Sequence, residues 1–156
     1  MRIFASAHNQ LRPGRDGDLQ VDSKEFIGGL CAALEKTIRL GLCLSFEHPA
    51  ASIPLQLPQA LALGLIINEL VTNSVKYAFL DGRSSAIIVT LAVLERDCYL
   101  CVADNGTGKA AEVKGSGRGL KLVNGLAQQL GGGFRIETSP QGTRGEIRFP
   151  LPISCP

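Results

Sequence analysis

Glu69, Asn73 and Lys76 stand at i, i+4 and i+7, the spacing of one helical face, and put a carboxylate, a carboxamide and an ammonium on one side of the stretch Ile67 to Ala78. Leu61, Leu63, Leu65, Ile66, Ile67, Leu70, Val71 and Val75 surround that stripe on most sides, so a largely buried helix is expected rather than one with a solvated face. Burying such groups without partners costs roughly 2 kcal/mol or more each. The stripe should therefore face something polar, and a nucleotide with its metal ion has the matching chemistry. Asn is a poor helix former, and a mid-helix Asn73 with Asn68 and Thr72 nearby asks for a reason beyond propensity. Ligation of a hard cation is one such reason. Mg²⁺ keeps several waters and draws much of its shell from substrate phosphates, so a single carboxamide oxygen from Asn73 suffices. Glu69, one turn earlier, is placed to hold or polarise a water near the same ion.

Two further segments carry polar backbone. Asp104-Asn105-Gly106-Thr107-Gly108 stands where a strand gives way to a loop; alone it is only a turn sequence. Gly115-Ser116-Gly117-Arg118-Gly119-Leu120 precedes a helical pattern, and glycines there let backbone amides approach phosphates at the positive end of the helix dipole. It is neither a GxxxxGK[ST] loop nor a dinucleotide fingerprint.

The elements that must position these groups follow from periodicity. Met1 to Leu11 reads as the end of a helix, Arg12 to Asp18 as a polar, breaker-rich connection, and so abrupt a beginning leads one to expect a missing upstream segment. Asp22 or Ser23 caps a helix running to about Ile38, with Phe26, Ile27, Leu30 and Leu34 at helical spacing, and Gly41 ends it. Leu42 to Phe46 reads as a strand, Ile53 to Pro58 as a proline-marked loop, and about Pro58 to Tyr77 as the long helix. Beyond Asp81-Gly82, Ala86 to Leu94 and Cys98 to Ala103 form a hairpin that delivers Asp104 to its end. A helix from Leu120 to Leu130 and a last hairpin, Phe134 to Thr138 with Gly145 to Phe149, complete the chain. Three helices and about five strands, mostly hairpin-connected, predict a two-layer α/β sandwich with a mixed, largely antiparallel sheet packed on three helices.

With 156 residues the chain is long enough to bury a core without disulfides or structural metal. Its formal charge of +2 argues for neither a nucleic-acid partner nor a membrane surface. No apolar run reaches the roughly 18 residues of a membrane span, and a cytoplasmic domain is expected. Five scattered cysteines suit reduced core thiols. Cys98 and Cys101 match CxxC, but in a strand residues three apart point to opposite faces.

Taken together and in this order, the three polar segments resemble the N, G1 and G2 boxes of the GHKL superfamily of ATP-binding domains. The wording of Asn68 to Phe79 is most similar to histidine kinases with the second type of dimerisation domain, related to the HWE kinases; Gly119 to Val123, Gln129 to Gly132, Gly142 to Arg144 and Phe149-Pro150 extend the likeness over about Val21 to Pro150. The resemblance implies a Bergerat-type ATP-binding fold, with residues 1–18 as the tail of an absent helical hairpin or linker and 19–156 as the catalytic domain. It implies ATP and Mg²⁺ as cofactors. By position, Glu69 would be the acidic catalytic residue, Asn73 the Mg²⁺ ligand and Lys76 the phosphate-reaching base, with Tyr77 beside it in the nucleotide site. Asp104 would accept a hydrogen bond from the adenine amino group, Gly106 and Gly108 would shape the pocket floor, and Gly117, Gly119 and Leu120 would lie beside the triphosphate. Thr143 would help hold adenine through water; Arg118, Lys109 and Lys114 are further, weaker phosphate candidates.

Such a domain belongs to a bacterial two-component sensor kinase, whose partners are the phosphoacceptor histidine domain of the same kinase and a response regulator. His8 and His48 are the only histidines, and a structural or surface role is expected for His8, so the acceptor would lie outside this chain. The lid between Gly108 and Gly115 is short. Two other functions share the fold: a degenerate module that has lost ATP and docks a response regulator, and a serine kinase of the anti-sigma type.

Overall fold

The computed structural model describes residues 11–13, 19–38, 41–79, 84–108 and 117–151. Helix α1, Ser23–Thr37, starts where Asp22 accepts the Glu25 backbone N–H at 3.0 Å, and buries Phe26, Ile27, Leu30 and Cys31. Burial alone would raise the Asp22 carboxyl, but the backbone N–H groups of Glu25 and Lys24, the Ser52 hydroxyl and Arg12 outweigh it and hold the group below its ordinary 3.8. Asp22→Ala is expected to cost about 1 kcal/mol. A carboxyl with a lowered folded-state value stabilises fully above its ordinary value and loses that contribution as pH falls through the lowered one. The melting difference between wild type and Asp22→Ala, measured at pH 7, should therefore shrink below pH 3.8.

Helix α2, Leu57–Asn73, carries Pro58 in its first turn, where no intrahelical N–H is needed, and Gln59 accepts the Gln56 backbone N–H at 3.0 Å. Ala60, Leu63, Ile66, Ile67, Leu70 and Val71 are buried, so α2 is apolar on most sides, as its position between sheet and neighbouring helices demands. Sequence spacing predicts that this helix continues as α to Tyr77. Instead Ser74–Ala78 form a π-helical turn, a widening that occurs mostly as single turns at functional sites.

The main sheet is built from β3 (Leu42–Glu47), β5 (Ser85–Leu94), β6 (Asp97–Asp104), β7 (Gly133–Ser139) and β8 (Gly142–Pro150), in the order β3-β5-β6-β8-β7. β3 and β5 run parallel with α2 in the crossover between them; all other neighbours are antiparallel. Helix α3, Gly117–Gln129, packs against α2 and β7, and α1 against β3 and α2. The result is the expected two-layer α/β sandwich. Its interior holds Phe26, Ile27, Leu63, Ile66, Leu100, Ile147 and Phe149, while the far side of the sheet carries polar contacts such as Arg148 Nε to Asp97 Oδ2 at 2.6 Å and Arg144 to Tyr99 Oη at 2.7 Å.

Several boundaries depart from the sequence reading. Three strands, β1 (Leu11–Pro13), β2 (Leu19–Asp22) and β4 (Pro54–Gln56), form a separate small sheet in the order β1-β2-β4. Leu11 is thus extended rather than helical, and parts of the expected Arg12 and Ile53 loops are strands; Met1 to Gln10 lie outside the described residues. Both prolines sit on edge strands, where a missing N–H costs no ladder bond on the open side. α3 begins at Gly117, three residues before expected, because a first turn has no intrahelical N–H bonds to weaken and tolerates glycine. The last hairpin is also tighter, with Thr138 paired to Thr143 and Ser139 to Gly142.

Cys98 and Cys101 are both buried, and strand alternation sends them to opposite faces. Burial pushes the Cys98 and Cys31 thiols up to about 12, leaving them inert as nucleophiles. Among the described residues no helix is long and apolar enough to cross a membrane.

Candidate functional site

The end of β6 delivers Asp104 into the interior, where only 9% of its surface remains accessible. A buried carboxylate needs donors, and three are supplied. Oδ1 accepts the backbone N–H of Gly106 at 2.9 Å and that of Thr143 at 3.1 Å, while Oδ2 accepts the Ser74 hydroxyl at 2.6 Å. Each donor comes from a different element: the turn after β6, the β7–β8 hairpin and the π-helical turn. Asn105 anchors the turn to the start of β5, accepting from Ala86 N at 2.9 Å and donating to Ser84 O at 3.0 Å. A side chain cannot be added at Gly106, since a Cβ there would fall 2.3 Å from Ala78 Cβ; a Cβ at Gly108 would fall 2.1 Å from Ser139 O.

Thr143 is buried, and its hydroxyl has no hydrogen-bond partner among the described residues. A buried hydroxyl left unpaired costs about 1–3 kcal/mol, so it marks a place where a polar ligand atom or water is wanted. It borders a narrow cavity of about 20 Å³ lined by Leu70, Asn73, Ser74, Asp104, Leu120 and Ile136 among others. That space suits one water molecule and is too small for a purine base without movement of its lining.

Glu69 and Asn73, one turn apart on α2, are half-buried and meet the first turn of α3. A Cβ on Gly119 would stand 2.8 Å from Glu69 Oε2 and 3.8 Å from Asn73 Nδ2, so a side chain at this position would displace the Glu69 carboxylate. The structure thus brings Glu69, Asn73, Asp104, Gly106, Gly119, Leu120 and Thr143 to one region. Lys76 and Gly117 are exposed, and Tyr77 is half-buried against the core. Lys76 lies within the π-helical turn rather than in the regular α spacing that places it at i+7 from Glu69. Arg118 is exposed; Lys109, Lys114, most of the expected lid and His8 lie outside the described residues. His48 is in a loop, its Nδ1 2.7 Å from Pro49 O.

Ser74, Leu70 and Ile136 also belong to the site, although the sequence reading does not single them out. For Ser74 a signal exists, a hydroxyl just after the candidate metal ligand in an apolar helix, but its aim depends on the π-helical turn. Nothing in the sequence marks Leu70 or Ile136 apart from other core residues.

Among the described residues no three His, Cys, Asp or Glu side chains cluster. Asn73 and Glu69 offer a carboxamide and a carboxylate oxygen, donors of the kind suited to a hard cation that takes the rest of its shell from phosphate and water.

Comparison with known proteins bears on the family and the fold. Residues 59–153 match the family described as histidine kinase-, DNA gyrase B-, and HSP90-like ATPase. No curated protein matches the full sequence significantly. The fold is similar to the histidine kinase domain of the Erythrobacter litoralis EL346 blue-light activated histidine kinase, with a TM-score of 0.79 at 18% identity over 96% of this chain and 70% of that one. In a second structure of that kinase the match has a TM-score of 0.75 at 21% identity, covering 84% of this chain and 42% of the other, so this chain spans less than half of it. A mycobacterial sensor histidine kinase, MprB, matches with a TM-score of 0.65 at 19% identity over 84% of this chain and 95% of its own. At these identities the likeness is one of fold.

Proposed function

Because the chain belongs to the histidine kinase-, DNA gyrase B- and HSP90-like ATPases, we propose that it is the ATP-binding catalytic part of a cytoplasmic bacterial two-component sensor histidine kinase, a transferase. Mg²⁺·ATP is the donor, and a histidine outside this chain, on the phosphoacceptor domain of the same kinase, is the acceptor; a response regulator is the next partner. The observation that carries the reading is the Asp104 carboxylate, buried with three donors and beside the unpartnered Thr143 hydroxyl, in a cavity that Asn73 also lines.

When bound, ATP supplies the phosphoryl group and Mg²⁺ offsets its charge. The chain's own residues have the work of positioning, which is most of what phosphoryl transfer asks of a protein. Asp104 accepts an N–H from the base, and Thr143 adds a hydroxyl next to it. Asn73 offers its carboxamide oxygen to the metal, and Glu69 holds or polarises a water nearby. Backbone amides at Gly117 and Gly119, at the N-terminus of α3, would hold phosphate, and the exposed Lys76 would add positive charge to it.

The narrow cavity favours one competing reading, a docking module that binds no nucleotide. Calorimetric titration with a non-hydrolysable ATP analogue separates the two. Saturable one-to-one binding that requires Mg²⁺ is expected, and Asn73→Ala should remove the metal dependence and lower affinity about tenfold, about 1.4 kcal/mol. An absence of binding at millimolar analogue would overturn the kinase reading in favour of the docking module.

A further inference from the structure

The main sheet ends at β7 on one side and at β3 on the other, and the two edges are protected differently. β7 carries its own charges, with Arg135 Nε 3.5 Å from Glu137 Oε1, and charged edge strands discourage the addition of another strand. β3, Leu42–Glu47, has neither lysine nor proline, and Leu42, Cys43, Leu44, Ser45 and Phe46 are all uncharged, the kind of short segment that pairs readily with a further strand. Its guard comes from elsewhere. The Leu44 backbone N–H points away from β5 and donates to Glu35 Oε1 at 3.3 Å, from the last turn of α1. Strand alternation puts the backbone groups of Leu42 and Phe46 on the same open edge, on either side of Leu44.

We propose that the β3 edge is a pairing surface for β3 of a second copy of this chain, and that Glu35 holds it shut. The strand is self-complementary. Antiparallel pairing about a two-fold axis at Leu44 sets Leu42 against Phe46 and Cys43 against Ser45 of the second copy, while Glu47, the one charged residue of the strand, meets the uncharged Gly41. Such an interface is isologous and closes at two copies, since each copy offers one β3. Glu35 opposes it in two ways. Its carboxylate occupies the central N–H of the edge, and at the axis the carboxylates of both copies would face each other, a like-charge contact that destabilises pairing.

The test is sedimentation equilibrium of wild type, Glu35→Ala, Glu35→Gln and the triple variant Glu35→Ala/Cys43→Lys/Ser45→Lys at matched protein concentration, each checked by thermal melting. Wild type should be monomeric. Glu35→Ala should form a dimer about tenfold tighter, or more, than any wild-type association. Glu35→Gln loses the repulsion but keeps an acceptor over the Leu44 N–H, so it should associate in the same direction and less strongly. Cys43 and Ser45 are exposed, and the triple variant, which sets lysine against lysine on both sides of the axis, should return to monomer with its fold intact. Folded, monomeric behaviour in both the Ala and Gln variants would overturn the proposal. So would a dimer that the two lysines leave intact, or a series of larger oligomers, since neither is a closed pair of β3 strands. A wild type that dimerises as tightly as Glu35→Ala would show that Glu35 is no guard.

Discussion

Asp104→Asn lowers ATP-analogue affinity by about a hundredfold or more, a loss of about 3 kcal/mol, while the domain stays folded. The expectation follows from the atoms around the side chain. An Asn oxygen in place of Oδ1 still accepts from Gly106 N and Thr143 N, which lie 2.9 and 3.1 Å from that atom. The new amide nitrogen replaces Oδ2, and the Ser74 hydroxyl, 2.6 Å away, can turn to accept from it. The resting network is therefore satisfied. A base amino group, however, then meets a donor where it met an acceptor, and nothing nearby can rotate to relieve the conflict. Calorimetry and a thermal melt on the same preparation check both halves. Unchanged affinity would remove Asp104 from the site; lost affinity with a lost fold would show that the carboxylate's charge was structural.

The same residues show how much of the site is legible in the amino-acid sequence. The stripe on α2 is readable because Glu69 and Asn73 are polar groups amid apolar neighbours, and helical spacing is a strong signal. The β5–β6 hairpin and Asp104 at its end are readable from alternation and a short polar turn. Lys76 is placed at i+7 from Glu69 by regular α spacing, whereas the chain there forms a π-helical turn. No local pattern announces that turn, because it is set by how Ser74 and Ala78 must seat against β6 and Gly106. The small sheet is hidden for a different reason. Its strands β1, β2 and β4 have only three or four residues each, too short for periodicity, and two of them contain proline, which normally argues against pairing. Thr143 stands out in the sequence only through resemblance; its unpartnered hydroxyl is a tertiary fact that needs β6, β8 and α2 in place.

A substitution in the β7–β8 turn, far from α2 in sequence, should damage both stability and site. Gly142 has φ +144°, and a Cβ built there would fall 1.9 Å from the Asp104 carbonyl oxygen and 3.2 Å from Asn105 Cα. Those are backbone atoms, so no rotamer change makes room. Gly142→Ala must either distort the turn or lift the hairpin from the end of β6, and the second movement withdraws the Thr143 N–H from Asp104 Oδ1. An unfavourable backbone conformation costs roughly 1–3 kcal/mol and overpacking a similar amount, so about 3 kcal/mol is expected. At roughly 2–4 °C per kcal/mol for a domain of this size, the melting temperature should fall by about 10 °C. Gly119→Ala is the informative control. The atom nearest its added Cβ, at 2.8 Å, is Glu69 Oε2, the free end of a flexible side chain that can swing aside. Melting should therefore change little there while nucleotide affinity falls, because the carboxylate and α3 must part. If instead Gly142→Ala melts with wild type, the hairpin is not held against Asp104 as the structure places it, and the shared anchoring of carboxylate, turn and hairpin is wrong.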